Sequence, residues 1–197
     1  MNHLEAALRH AADDLTRLGA GWALIGGFAV SARTEPRFTR DVDIAVAIDD
    51  DPAAEDLVRS LLASGYRLLA TVDHEVTGRL ATVRLASPLT GDTDVVVDLL
   101  FASSGIEQEI AQAAERIEIV PGLTLPVATT GHLIALKLLA RDDERRPRDA
   151  ADLRNLAAVA SSEDRDLARQ AVELIKARGF DRDRDLSQAL DSLGISQ

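Results

Sequence analysis

The run Asp41-Val42-Asp43-Ile44-Ala45-Val46-Ala47-Ile48 constrains the fold of this chain more than any other segment. It is rich in β-branched residues and alternates at its start, which predicts a strand over 41–48. Residues i and i+2 of a strand face the same side, so Asp41 and Asp43 project together. Two carboxylates side by side on an apolar strand repel each other and resist burial. A hard divalent cation between them reverses that cost. Mg²⁺ is commonly held by one or two carboxylates plus substrate phosphates, which matches this pair.

The segments before and after the pair extend the pattern. The short apolar run Trp22–Ile25 is bounded by glycines and predicts a buried strand. Gly26-Gly27 follows, and residues 28–34 read as the first turns of a helix. Without Cβ atoms, the two glycines let backbone N–H groups approach phosphate oxygens at that helix start. Asp98 stands in Val95-Val96-Val97-Asp98-Leu99-Leu100-Phe101, with three apolar residues on each side. A charge there needs a partner, either a structural arginine or a shared metal. Two-metal phosphoryl-transfer sites need about this carboxylate inventory.

Further strands are expected at 67–72, 79–86 and 94–101, with one or two more within 116–128 around Pro121-Gly122. Three strands in succession favour an antiparallel or mixed sheet over strict βαβ alternation. Helices are expected over 3–18, from Pro52 to about Ser64, and over 105–115. From Thr129 the texture becomes helical in three segments, with a fourth expected at 185–193 and capping residues at Thr129 or Thr130 and at Ser161. The expected fold class is therefore α/β (α+β): a mixed-sheet core over residues 1–128, followed by a C-terminal helical part, 129–197, that completes the site.

Composition narrows the chemistry. The chain has 197 residues, enough to bury a sizeable core, and no cysteine, which excludes thiolate catalysis and disulfides. No apolar run reaches the roughly 18 residues of a membrane span. The N-terminus lacks the layout of a signal peptide, so the expected location is cytoplasmic. The four histidines show no metal-ligand spacing, and G-x-S-x-G is absent. Net charge is −11, which opposes nucleic-acid binding by the chain as a whole. Residues 137–197 are nearly balanced, however, and Arg141, Arg145, Arg146, Arg148 and Arg154 cluster there, where a polyanion could dock. Of the 22 Lys+Arg residues only Lys137 and Lys176 are lysines. A lysine on the mostly apolar helix around 132–140 suggests a site that needs a compact point charge. Asp149 and Asp152 are i, i+3 neighbours on one helix face and could pair with nearby arginines. Thr39 and Arg37, just before Asp41, are candidates to contact a phosphate.

Leu24-Ile25-Gly26-Gly27 followed by Thr39-Arg40-Asp41-Val42-Asp43 resembles the G-G/S…D-x-D signature of the DNA polymerase β-like nucleotidyltransferase superfamily, with Asp98 in the place of its third acidic residue. The run from His132 to Leu153 resembles the Lys…Arg-Asp-x-x-Asp-Leu segment of the AbiEii-like nucleotidyltransferases, toxins of type IV toxin–antitoxin systems that include the mycobacterial MenT group. The resemblance covers about residues 22–156. It implies a polymerase β-like core, Mg²⁺ (or Mn²⁺) on Asp41, Asp43 and Asp98, an NTP substrate whose triphosphate meets Lys137, and Asp152 completing the site. It also implies transfer of NMP to the 3′ end of tRNA, which blocks aminoacylation and translation, and a cognate antitoxin that modifies Thr39. Two alternatives stay open: a small-molecule acceptor such as an aminoglycoside, or a protein acceptor; and a non-catalytic binding partner.

Overall fold

In a computed structural model that describes residues 3–89, 94–141 and 147–195, the strands form one seven-stranded mixed sheet. In chain order the elements are α1 (His3–Arg17), β1 (Gly21–Ile25), α2 (Gly26–Arg33), β2 (Asp41–Ala47), α3 (Asp51–Ala63), β3 (Arg67–Asp73), β4 (Leu80–Ala86), β5 (Val96–Leu100), α4 (Glu107–Gln112), β6 (Glu115–Val120), β7 (Leu123–Val127), α5 (Thr130–Ala140), α6 (Pro147–Val159), α7 (Ser162–Ala177) and α8 (Leu186–Asp191). The strand order is β3-β4-β5-β2-β1-β7-β6. β2 pairs in parallel with β5, and β1 with β7; the other neighbours are antiparallel. This is the mixed α/β architecture expected from the strand succession.

The alternation of β2 sorts its two faces. Val42, Ile44 and Val46 are fully buried and belong to the apolar core, whereas Asp41 and Asp43 face the other way and stay partly exposed. α1 adds Leu8 and Leu15, and α4 adds Ile110, to that core. Fully burying a Leu or Ile side chain contributes about 1.5–3 kcal/mol, so the register of β2 is firmly held. The core continues into α5, α6 and α7 through Leu133, Ile134, Leu153, Leu156, Val172 and Ile175. Thr129 caps α5 by accepting from the His132 N–H, and Ser161 and Asp164 form a capping box at α7.

Two boundaries differ from expectation. α2 begins at Gly26 rather than Phe28, because Gly26 itself adopts φ +62° and turns the chain directly from β1 into the helix. α4 is shorter than 105–115: Gly105 lies at φ +73° under the Phe180 ring, and Glu107 folds back to accept from the Ser103 and Ser104 N–H groups. Its C-terminal end gives way to β6 at Glu115. Arg145 and Arg146 of the arginine cluster lie outside the described residues. Among the described residues, no helix is long and apolar enough to cross a membrane.

Candidate active site

Sheet pairing assembles the carboxylates. β2 and β5 run in parallel with Asp43 opposite Asp98, and Asp41 lies two residues earlier on the same face. One carboxylate oxygen from each of Asp41, Asp43 and Asp98 falls within 4.8 Å of the others. Burial pushes the Asp43 carboxyl up to about 7, and the negative charges of Asp41 and Asp98 push the same way; Lys137 and the Gly27 N–H, which donates to Asp43, partly oppose them. Three carboxylates at this separation are mutually repulsive without a cation. The donor set is all hard oxygen, which suits Mg²⁺ or Mn²⁺.

Asp98 also has the arginine partner that its apolar surroundings allowed. β4 pairs antiparallel with β5 so that Arg84 stands opposite Asp98. Its Nε and Nη2 donate to the two Asp98 oxygens at 2.8 and 2.7 Å. The fork fixes the carboxylate plane, and Asp98 is buried while the Arg84 side chain is half exposed. The two readings of Asp98, structural ion pair and member of the trio, are both realised in one geometry.

Next to β2 the glycine pair is sterically required. A Cβ on Gly26 would come within 1.9 Å of Asp43 Oδ2, and one on Gly27 within 2.5 Å of Thr39 Oγ1. Both glycines therefore admit side chains of the site as well as opening the start of α2. That helix has no side-chain N-cap, so its first N–H groups, apart from the one on Asp43, point out of the helix start unanswered by a capping residue. The Thr39 hydroxyl lies 3.3 Å from Asp41 Oδ1 and from the Asp41 carbonyl oxygen, and it is almost buried.

The helical part supplies a second cluster. Lys137 on α5 donates to Asp149 Oδ1 at 2.6 Å and lies 2.9 Å from Asp152 Oδ2. Arg37 Nη2 reaches the same Asp152 oxygen at 2.8 Å. Among the described residues, Asp149 and Asp152, both buried, thus pair with Lys137 and Arg37. Arg37 lies in the loop between α2 and β2, where its N–H donates to the hydroxyl of Ser31 on α2.

The two clusters share a cleft of about 500 Å³, within the range of small-ligand sites. Gly26, Gly27, Arg37, Thr39, Asp41, Asp43, Asp98, Lys137 and Asp149 line it, while Asp152 stands behind Lys137. Every site residue expected from sequence except Asp152 is therefore on its wall. Sequence reasoning missed Arg84, Ser103, Ser104 and Arg182, which also line it. Arg84 left one faint signal, a cation at an alternating position of a strand run; its register against Asp98 is a tertiary fact.

Comparison with known proteins agrees with this architecture. Among curated proteins none matches the chain. The crystal structure of an antigenic nucleotidyltransferase-like protein from Paracoccidioides brasiliensis aligns with TM-score 0.57 at 20% identity, covering 96% of this chain and 92% of that one. The antibiotic-resistance factor ANT(2″)-Ia aligns with TM-score 0.55 in two structures. Its solution structure shares 16% identity over 98% of this chain and 97% of that one; its crystal structure with adenylyl-2″-tobramycin shares 13% over 89% and 99%. At these identities the likeness is one of fold. A family model described as the nucleotidyl transferase AbiEii toxin of type IV toxin–antitoxin systems matches residues 8–195, nearly the whole chain, and the chain belongs to that family.

Proposed function

We propose that this nucleotidyltransferase transfers NMP from an NTP to the 3′ end of tRNA in a divalent-metal-dependent reaction. The observation that carries the proposal is the trio of Asp41, Asp43 and Asp98, with ligand oxygens within 4.8 Å, facing Lys137 and the α2 start across one cleft. The elevated Asp43 carboxyl supports a resident cation, since a metal would ionise it and relieve the repulsion within the trio. Asp41, Asp43 and Asp98 would hold Mg²⁺ or Mn²⁺, which supplies Lewis-acid stabilisation of the charge that develops on the transferred phosphoryl group.

The protein's own groups do the positioning. The N–H groups at the start of α2 and the Lys137 ammonium bind the triphosphate, and Thr39 and Arg37 flank it. Arg84 holds Asp98 in one orientation beside the incoming hydroxyl. The acceptor hydroxyl loses its proton to solvent water as its oxygen bonds to the α-phosphorus, the α–β anhydride bond breaks, and pyrophosphate leaves with its charge met by Lys137. Asp149 and Asp152 aim Lys137 and restrain its flexible stem.

Membership of a type IV toxin–antitoxin family implies an antitoxin partner. Thr39 is the proposed point of control. A phosphoryl group on its hydroxyl would set negative charge against Asp41 Oδ1, now 3.3 Å away, and repel the NTP. A second reading keeps the chemistry and substitutes a small cationic acceptor; the net charge of −11 favours it, as does the adenylylated tobramycin in the ANT(2″)-Ia crystal structure. Incubation with Mg²⁺, each labelled NTP, and either total tRNA or an aminoglycoside panel separates the readings. Label on tRNA is expected. Label on an aminoglycoside alone would replace the tRNA reading, and label on neither would leave a protein acceptor or a non-catalytic binding partner.

A further inference from the structure

Among the described residues, positive φ outside glycine occurs only at two consecutive positions, Arg182 (φ 55°) and Asp183 (φ 56°). L-residues other than Asn and Asp seldom adopt this conformation, and such strain persists where the surrounding structure enforces it, commonly at functional sites. Here the turn between α7 and α8 is pinned on both sides. Phe180 packs on Gly105 and lies 4.2 Å from the His74 ring. Arg178 donates to the Gly105 carbonyl and, through Nη2, to Glu109 at 2.6 Å. The turn is thereby locked over the loop that follows β5.

That loop is itself rigid. Buried Glu107 accepts from the Ser103 N–H at 2.9 Å, the Ser104 N–H at 2.7 Å and the Ser104 hydroxyl at 2.8 Å. Arg182, exposed on the cleft wall, donates from Nη2 to the Ser103 carbonyl at 3.0 Å and lies 3.3 Å from its hydroxyl. The guanidinium is thus presented by a strained turn and held against Ser103.

Its position relative to the chemistry is set by the sheet. Ile25, which leads into Gly26-Gly27, stands opposite Asp43, and Asp43 stands opposite Asp98. β5 then runs through Leu100, opposite Ala45, away from the glycine turn and into Ser103. Arg182 therefore marks the end of the cleft beyond Asp98, remote from the α2 start where the triphosphate is proposed to bind.

We propose that Arg182 grips a phosphodiester of the polynucleotide acceptor as its 3′ end enters the cleft. This rests on the tRNA reading above. A planar guanidinium matches phosphate with two parallel hydrogen bonds, and a fixed one orders the strand at small entropic cost. A chain of net charge −11 repels a polyanion at long range, which makes a local cation at the cleft mouth necessary.

The test is binding of total tRNA to wild type and to Arg182→Ala, Arg182→Lys and Arg182→Gly, titrated between about 50 and about 300 mM salt, with NTP affinity measured separately without tRNA. One lost phosphate contact lowers the log K against log salt slope by about 0.8. Arg182→Ala and Arg182→Gly should bind tRNA about tenfold more weakly with that lower slope, at unchanged NTP affinity. Arg182→Lys should keep the wild-type slope. Arg182→Gly relieves the backbone strain, so it should melt no lower than wild type while still losing tRNA affinity. An unchanged slope in Arg182→Ala, a loss of NTP affinity of the same size, or a melting point that falls together with tRNA affinity in Arg182→Gly would overturn the proposal alone. Absence of any salt-dependent tRNA binding by wild type would overturn it together with the tRNA reading.

Discussion

The two charged clusters of the cleft are built by different means. The carboxylates of Asp41, Asp43 and Asp98 are placed by strand register, because parallel pairing of β2 with β5 leaves them no other position. The network of Lys137, Asp149, Asp152 and Arg37 is placed by side-chain reach among α5, α6 and the loop before β2. The first cluster carries excess negative charge, which a divalent cation would offset. The second balances two cations against two carboxylates, with Asp149 Oδ2 and Arg37 Nε buried and lacking a hydrogen-bond partner. On the proposed reading the sheet is the metal-binding floor, and the helical wall offers a lysine that would exchange a carboxylate for a phosphate.

The largest expected effect of breaking this contrast lies on the sheet. Asp41→Asn should lower transfer by about a thousandfold or more, equivalent to about 4 kcal/mol of transition-state stabilisation, while the melting temperature stays at or above the wild-type value. A steady-state rate assay beside a thermal melt reads both. Lys137→Met should instead destabilise the fold by about 3 kcal/mol, since buried Asp149 would lose its cation and Asp152 would keep Arg37 alone. Denaturant midpoints measure this, and adding Asp149→Asn should recover part of the stability without the activity. A variant pair with the opposite assignment, stability lost on the sheet and activity alone lost on the helices, would dissolve the distinction.

Gly26→Ala tests the seam between the clusters. The left-handed backbone alone costs about 1–2 kcal/mol with a Cβ, and the added atom drives Asp43 out of place, so both stability and rate should fall. Arg84→Gln should cost less than about 1 kcal/mol in stability, because the Arg84 side chain is half exposed, yet slow transfer about tenfold by freeing Asp98 to rotate. A smaller effect belongs to the helical wall. Burial in α5 lowers the His132 imidazole to about 4, with Glu109 opposing weakly. The folded value lies below the unfolded one near 6.5, so this contribution is intact above about pH 6.5 and is lost as pH falls from there toward 4. His132→Gln should flatten the acid limb of a stability–pH curve in that window and leave the neutral limb unchanged.

How far the sequence could be read follows the same division. The β2 strand, the Asp41/Asp43 face and the special status of Gly26-Gly27 and Asp98 were legible, because period-two alternation and an isolated charge in an apolar run are local signals. The exception proves instructive: the glycines read as phosphate-approach positions, and the structure adds that Asp43 and Thr39 occupy the space their Cβ atoms would need. Lys137 stood out by residue usage alone. Arg37–Asp152 and Arg84–Asp98 were not legible, since residues 115 and 14 positions apart meet only after the chain has packed. Arg182 was hidden most completely, because its backbone strain is imposed by Phe180 and Arg178 docking onto a distant loop.

On the proposed reading the sheet trio holds the catalytic cation. Electron paramagnetic resonance titration of Mn²⁺ into the protein with a non-hydrolysable NTP tests it most directly. Wild type should bind Mn²⁺ with saturable stoichiometry, and folded Asp41→Asn and Asp43→Asn proteins should lose that binding by at least about tenfold in affinity. Equal Mn²⁺ binding by wild type and both variants would contradict it.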